Sequence, residues 1–78
     1  MPSAVLPLEL LQPEERGRIC HVAGDDHLVH RLQEMGVREG AEVRMVQSGR
    51  PCIVHINDNR LSLRSDGAVT ILVELGAA

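Results

Sequence analysis

The sequence predicts a mainly-β fold: a small, partly open barrel of about five short strands, with one short α-helix inserted after the first strand. Three observations predict it. Apolar residues recur at every second position over residues 41–45, 52–56 and 69–75, the period of strands with one buried face. Residues 25–40 break that period, and Leu28, Val29, Leu32 and Met35 fall instead on one stripe of a helix. The chain has 78 residues, which make one domain and one thin core. No repeat and no linker divides it, so residues 1–78 are read as a single unit.

Taken in order, residues 1–7 carry two of the prolines and are expected to be a loose N-terminal tail. Leu8, Leu10 and Leu11 form an apolar anchor ahead of Pro13. The first strand is expected over 17–23. Ile19 and Val22 are three apart there, which requires either a bulge or an exposed residue. Gly24 turns the chain into the helix. Asp25 or Asp26 can accept a hydrogen bond from the first free backbone N–H groups. Gly36 ends the helix, because the residue just past a helix often needs φ > 0, where a Cβ is penalised. Val37 then folds back onto Leu32.

After a second turn at Arg38-Glu39-Gly40, Ala41, Val43 and Met45 alternate with Glu42 and Arg44. Ser48-Gly49-Arg50-Pro51 is a turn. Cys52, Val54 and Ile56 share one face of the next strand, with Ile53, His55 and Asn57 on the other. A two-residue loop at Asp58-Asn59 would set Ile56 opposite Leu61 and Val54 opposite Leu63, and both loop residues tolerate the φ > 0 of such turns. Residues 65–68 read as a tight turn, and 69–75 as the closing strand. The helix is expected to plug one end of the barrel.

Composition excludes several function classes. There is no aromatic residue, so a Pro-rich peptide groove or a base-stacking surface cannot be built. The net charge is -3 and all eight basic residues are Arg, which is not the footprint of a nucleic-acid binder. Without any Lys there is no phosphate-binding G-x-x-x-x-G-K-[ST] loop. Two Cys and no secretory leader point to a reducing, cytoplasmic setting, and no apolar run approaches the ~18 residues of a membrane span.

The candidate chemistry is sparse. Cys20-His21 and Cys52-x-x-His55 suggest a metal, but residues at i, i+1 and i, i+3 of a strand point to opposite faces. Roughly two ligands can then share a face, where structural zinc takes about four, so no closed metal site and no cofactor is expected. A weak surface alternative uses His21, His27, His30 and His55. His30 and Glu34 are four apart and read as a solvated pair. Glu14-Glu15 and Asp25-Asp26 adjoin turns or a helix start, where acids serve as caps. No Ser-His-Asp or Cys-His-Asn order indicates a nucleophile, and Cys52 on an apolar face is expected to be inert. The reading is of a non-enzyme.

The run R-L-x-E-M-G-V-x-x-G-A-x-V-R, from Arg31 to Arg44, resembles the FeoA family, small cytosolic partners of the FeoB ferrous-iron transporter. Leu8-x-x-Leu11-x-Pro13 with Gly17-x-Ile19 resembles the family's opening, and Leu61-x-Leu63-Arg64 with Ala68-x-x-Ile71-x-Val73 its close. Two positions depart from the pattern: Glu14 stands where the family often has Gly, and the segment 48–51 is short. The module also occurs as the C-terminal domain of diphtheria-toxin-type metal-dependent repressors, whose DNA-binding helices have no room here. The resemblance implies an SH3-like barrel and a regulator that binds a FeoB-type transporter, without nucleic acid and without membrane insertion. The irregular feature of the barrel is the inserted helix, so Arg31, Met35, Gly36 and Arg38 at its end are the expected docking residues. The Arg31 stem can lie over the barrel with its guanidinium in water, or anchor a partner. Two other classes stay open: a Cys/His carrier or sensor of Fe²⁺ or Zn²⁺, and a homo-oligomeric module joined through the strand edges of an open barrel.

Overall fold

In the computed structural model, residues 4–64 and 67–75 are described. The alternating stretches become six strands: β1 (Val5–Pro7), β2 (Arg16–Gly24), β3 (Glu42–Gln47), β4 (Cys52–Ile56), β5 (Asn59–Leu63) and β6 (Val69–Glu74). A 3₁₀ turn, Leu8–Leu10, follows β1, and the helix α1 (Asp26–Glu34) follows β2. All the pairings are antiparallel, in the order β1-β6-β2-β3-β4-β5. This one sheet curls into an SH3-like barrel that stays open between β1 and β5.

The buried core is aliphatic, as the absence of aromatic residues requires. Val43 and Met45 from β3 and Cys52, Val54 and Ile56 from β4 alternate inward, and Ile19 and Val73 meet them from β2 and β6. Leu8, Leu11 and Val37 close the ends from the connections. The strand phase is as expected except at two bulges. In β2 the register shifts between Ile19 and His21, and in β3 between Met45 and Gln47. The first bulge resolves the Ile19–Val22 spacing: Ile19 is buried, while Cys20 and His21 both face outward.

Two sequence expectations are corrected. Of the tail expected over 1–7, residues 1–3 lie outside the described residues and Val5–Pro7 is a strand, with Leu6 opposite Val73 and the Leu75 N–H donating to the Ala4 carbonyl at 2.8 Å. Pro7 fits there because an edge strand has a side on which a missing N–H costs no ladder bond. The hairpin loop is Asn57-Asp58 rather than Asp58-Asn59, so Ile56 faces Asn59, Val54 faces Leu61 and Cys52 faces Leu63. Both registers keep Leu61 and Leu63 on the inner face, so apolar alternation does not distinguish them. Backbone conformation does: Asn57 and Asp58 lie at φ 48° and 67°, the doubled left-handed geometry that matches strand twist. Of the turn expected over 65–68, Ser65 and Asp66 lie outside the described residues.

Helix α1 is capped as its sequence dictates. The Asp25 carboxylate accepts from the Leu28 N–H at 3.1 Å. At the other end, Gly36 has φ 100°, and the Gly36 and Val37 N–H groups donate to the Gln33 and Leu32 carbonyls at 3.1 and 2.8 Å. That pair of bonds is a Schellman cap, and it delivers Val37 into the core. A Cβ at Gly36 would meet the Asn57 amide at 3.2 Å and the Ile56 side chain at 3.5 Å. Gly36→Val should therefore lower stability by about 1–3 kcal/mol, mostly from backbone strain. Urea melts with equal midpoints for the two proteins would contradict this.

The helix does not seal the barrel end. None of its residues is fully buried: Val29 and Leu32 are half-buried, while Leu28 and Met35 are 36% and 41% exposed. Half of its apolar stripe is left uncovered.

Candidate functional site

The uncovered stripe forms one wall of a groove of about 680 Å³. Leu28, Arg31, Leu32 and Met35 come from α1, facing Pro7, Leu8 and Glu9 at the end of β1. The end of β5 contributes Leu63 and Arg64, the start of β6 contributes Val69 and Ile71, and Cys52 also lines the groove. The site therefore lies at the barrel's opening, where both sheet edges and the helix converge. An exposed apolar surface of this kind, rimmed by charge, is where a protein binds a partner or a ligand.

The four expected docking residues divide into two pairs. Arg31 and Met35 line the groove, and the Arg31 guanidinium has no hydrogen bond or ion pair among the described residues. Gly36 and Arg38 instead build the helix terminus, with Arg38 Nη2 donating to the Gln33 carbonyl at 2.8 Å. Arg38 thereby adds a second donor to the carbonyl that accepts the Gly36 N–H and complements the helix dipole. Replacing Arg38 would disturb the helix end as well as any docking, so Arg31 is the cleaner probe. Leu8, Leu63 and Arg64 are groove residues that the sequence did not reveal, because they meet α1 only through pairings distant in the chain.

The metal candidates are scattered. Among the described residues no three His, Cys, Asp or Glu side chains converge. His27 and His30 are exposed on α1, and His30 Nε2 lies 3.6 Å from Glu34 Oε1. His55 is half-buried on β4, opposite Arg44 on one side and Arg60 on the other, whose charges oppose a dication there. Cys20 and His21 stand side by side on the outer face, departing from the opposite-face expectation because of the bulge. The Cys20 thiol donates to the Leu72 carbonyl at 3.5 Å.

The two thiols should differ sharply in reactivity. Cys20 is exposed, whereas burial, with the Glu9 charge adding to it, pushes the Cys52 thiol above its ordinary value. Native protein should lose one thiol to iodoacetamide quickly and the second only in urea; fast reaction of both would contradict the burial of Cys52. The sign of the pH dependence follows. The folded state holds the Cys52 proton more tightly than the unfolded chain does. Its contribution is therefore fully present below the unfolded thiol pKa of about 8.5 and is lost as pH rises past it.

One open antiparallel sheet, one capped helix and an apolar groove at the opening define a small SH3-like β domain. The chain belongs to the FeoA family: the FeoA domain matches residues 6–75, and the family serves ferrous-iron transport systems. Its fold is similar to three solved structures. The crystal structure of an iron uptake regulatory protein (FeoA) aligns with a TM-score of 0.79 at 24% identity, covering 92% of this chain and 100% of that one. An NMR structure of a FeoA-like protein from Clostridium acetobutylicum aligns at 0.74 with 20% identity, covering 100% and 93%. The crystal structure of T. acidophilum IdeR aligns at 0.83 with 21% identity over 97% of this chain, which spans only 36% of that protein. No curated protein matches the chain. Among the described residues no helix is long and apolar enough to cross a membrane.

Proposed function

We propose that this protein is a small cytoplasmic accessory protein of a FeoB-type ferrous-iron transporter, acting by binding it through the α1 groove and not by catalysis. The observation that carries the reading is a well-capped amphipathic helix with no fully buried residue, its open stripe beside the Arg31 guanidinium, which has no partner among the described residues. A capped helix that half-exposes its apolar face leaves stabilisation to be gained by covering it. A desolvated Arg in such a setting is an anchor, whereas an Arg left in water contributes little. Immobilised protein should capture the detergent-solubilised transporter, and Arg31→Ala should weaken capture by about tenfold or more while leaving the urea midpoint unchanged. Unchanged capture would move the docking site elsewhere, first to the turns at Ser48-Gly49-Arg50-Pro51 and Asn57-Asp58.

A second reading, a Fe²⁺ or Zn²⁺ carrier or sensor, is favoured by one observation, the outward pairing of Cys20 with His21. Two ligands fall short of the usual four, so such a site would need a second copy to complete it. A zinc-dependent dimer that chelator dissociates and His21→Ala abolishes would support that reading.

A further inference from the structure

The sheet presents a bare edge beside the groove. β5 has β4 on one side and, among the described residues, no strand on the other. The Asn57-Asp58 turn brings the Asn59 N–H to the Ile56 carbonyl, so these two residues are a bonded pair. Antiparallel alternation then commits the backbone groups of Asn59, Leu61 and Leu63 to β4 and turns those of Arg60 and Ser62 to the open edge. The side chains alternate too. Arg60 and Ser62 are exposed, as is Arg64 just beyond the strand, while Leu61 and Leu63 are half-buried; Leu63 lines the groove, and Ser62 and Arg64 border it.

A strand laid along this edge would set every second residue opposite Arg60, Ser62 and Arg64, and the residues between them over the groove. Neither arginine has an ion-pair partner among the described residues. A second copy is a poor occupant, because antiparallel β5–β5 pairing about Ser62 would place arginine against arginine. We propose that the β5 edge takes an extended partner segment of alternating acidic and apolar residues, which adds to the sheet by backbone pairing and buries its apolar side chains in the groove. This rests on the reading of the groove as the transporter-docking surface, and it names the chemistry of what docks.

The test uses the whole protein and a fluorescent, end-blocked octapeptide of alternating Glu and Val, read by anisotropy. Wild type should bind it about tenfold or more tighter than the Lys-for-Glu peptide, and the R60E/R64E double variant should reverse that order. N-methylation of the peptide amides on one edge, or Ser62→Pro, should abolish binding. The Ser62 N–H faces away from β4, so proline there should leave the urea midpoint close to wild type. Binding that survives N-methylation, ignores the charge reversal or is unaffected by Ser62→Pro overturns the proposal. So does a wild-type dimer on gel filtration that Ser62→Pro dissociates. Peptide failure with Arg31-dependent transporter capture would overturn strand addition alone. Charge-reversible peptide binding with Arg31-independent capture would support strand addition and overturn the docking assignment.

Discussion

Gly24→Ala is expected to lower stability by about 3–5 kcal/mol, a large share of what so small a domain has. Gly24 ends β2 at φ 139°, opposite Val69. A Cβ there would lie 2.2 Å from the Ala68 carbonyl oxygen and 2.7 Å from the Val69 Cα. Both are backbone atoms, so no side chain can swing aside; the strand itself must move. That carbonyl also accepts the Asp25 N–H at 3.0 Å, so the displacement reaches the residue that caps α1. Gly40 separates the two contributions, since it has φ 93° but nothing within 4 Å of an added Cβ. Gly40→Ala should cost only the conformational part, about 1 kcal/mol. Equal urea midpoints for the two variants would show that the close approach of β2 to β6 is not what Gly24 serves.

Ile56→Ala should cost about 2–5 kcal/mol, the range for truncating a fully buried aliphatic side chain. Ile56 has no exposed surface, faces Val43 across the β3–β4 ladder and lies under the glycine cap of α1. Ile53, on the half-buried outer face of the same strand, is the control and should cost about 1 kcal/mol on truncation. The prediction fails if thermal and urea midpoints fall equally for both.

What the sequence made legible was local. The α1 caps rest on residues within one turn of the helix ends, so Gly36 could be read directly and the N-cap narrowed to Asp25 or Asp26, and the odd spacing of Ile19 and Val22 narrowed β2 to a bulge or an exposed residue. Strand β1 was hidden because its partner, β6, lies at the far end of the chain and two prolines made the segment look like tail. The hairpin turn was displaced because Leu61 and Leu63 face inward in either register, leaving the choice to backbone φ at Asn57 and Asp58. The site divided in the same way. Arg31 and Met35 were visible on a helix stripe, whereas Leu8, Leu63 and Arg64 join them only once β1, β5 and β6 are assembled.

The groove ties family membership to a physical device. A barrel closed on all sides would offer only loops, whereas this one stops short between β1 and β5 and leaves together apolar side chains, strand-edge backbone groups and arginines with no ion-pair partner among the described residues. The apolar side chains would gain from being covered, whereas the edge backbone groups and the arginines would gain only where a partner supplies hydrogen bonds and carboxylates that offset their desolvation. The measurement that tests this most directly is photo-cross-linking to the transporter in membranes, with the reactive group carried at Met35 in the groove or at Gln47, an exposed residue of β3 outside it. The account predicts a cross-link to the transporter from Met35 and none from Gln47. Cross-linking from Gln47 with none from Met35 would contradict it.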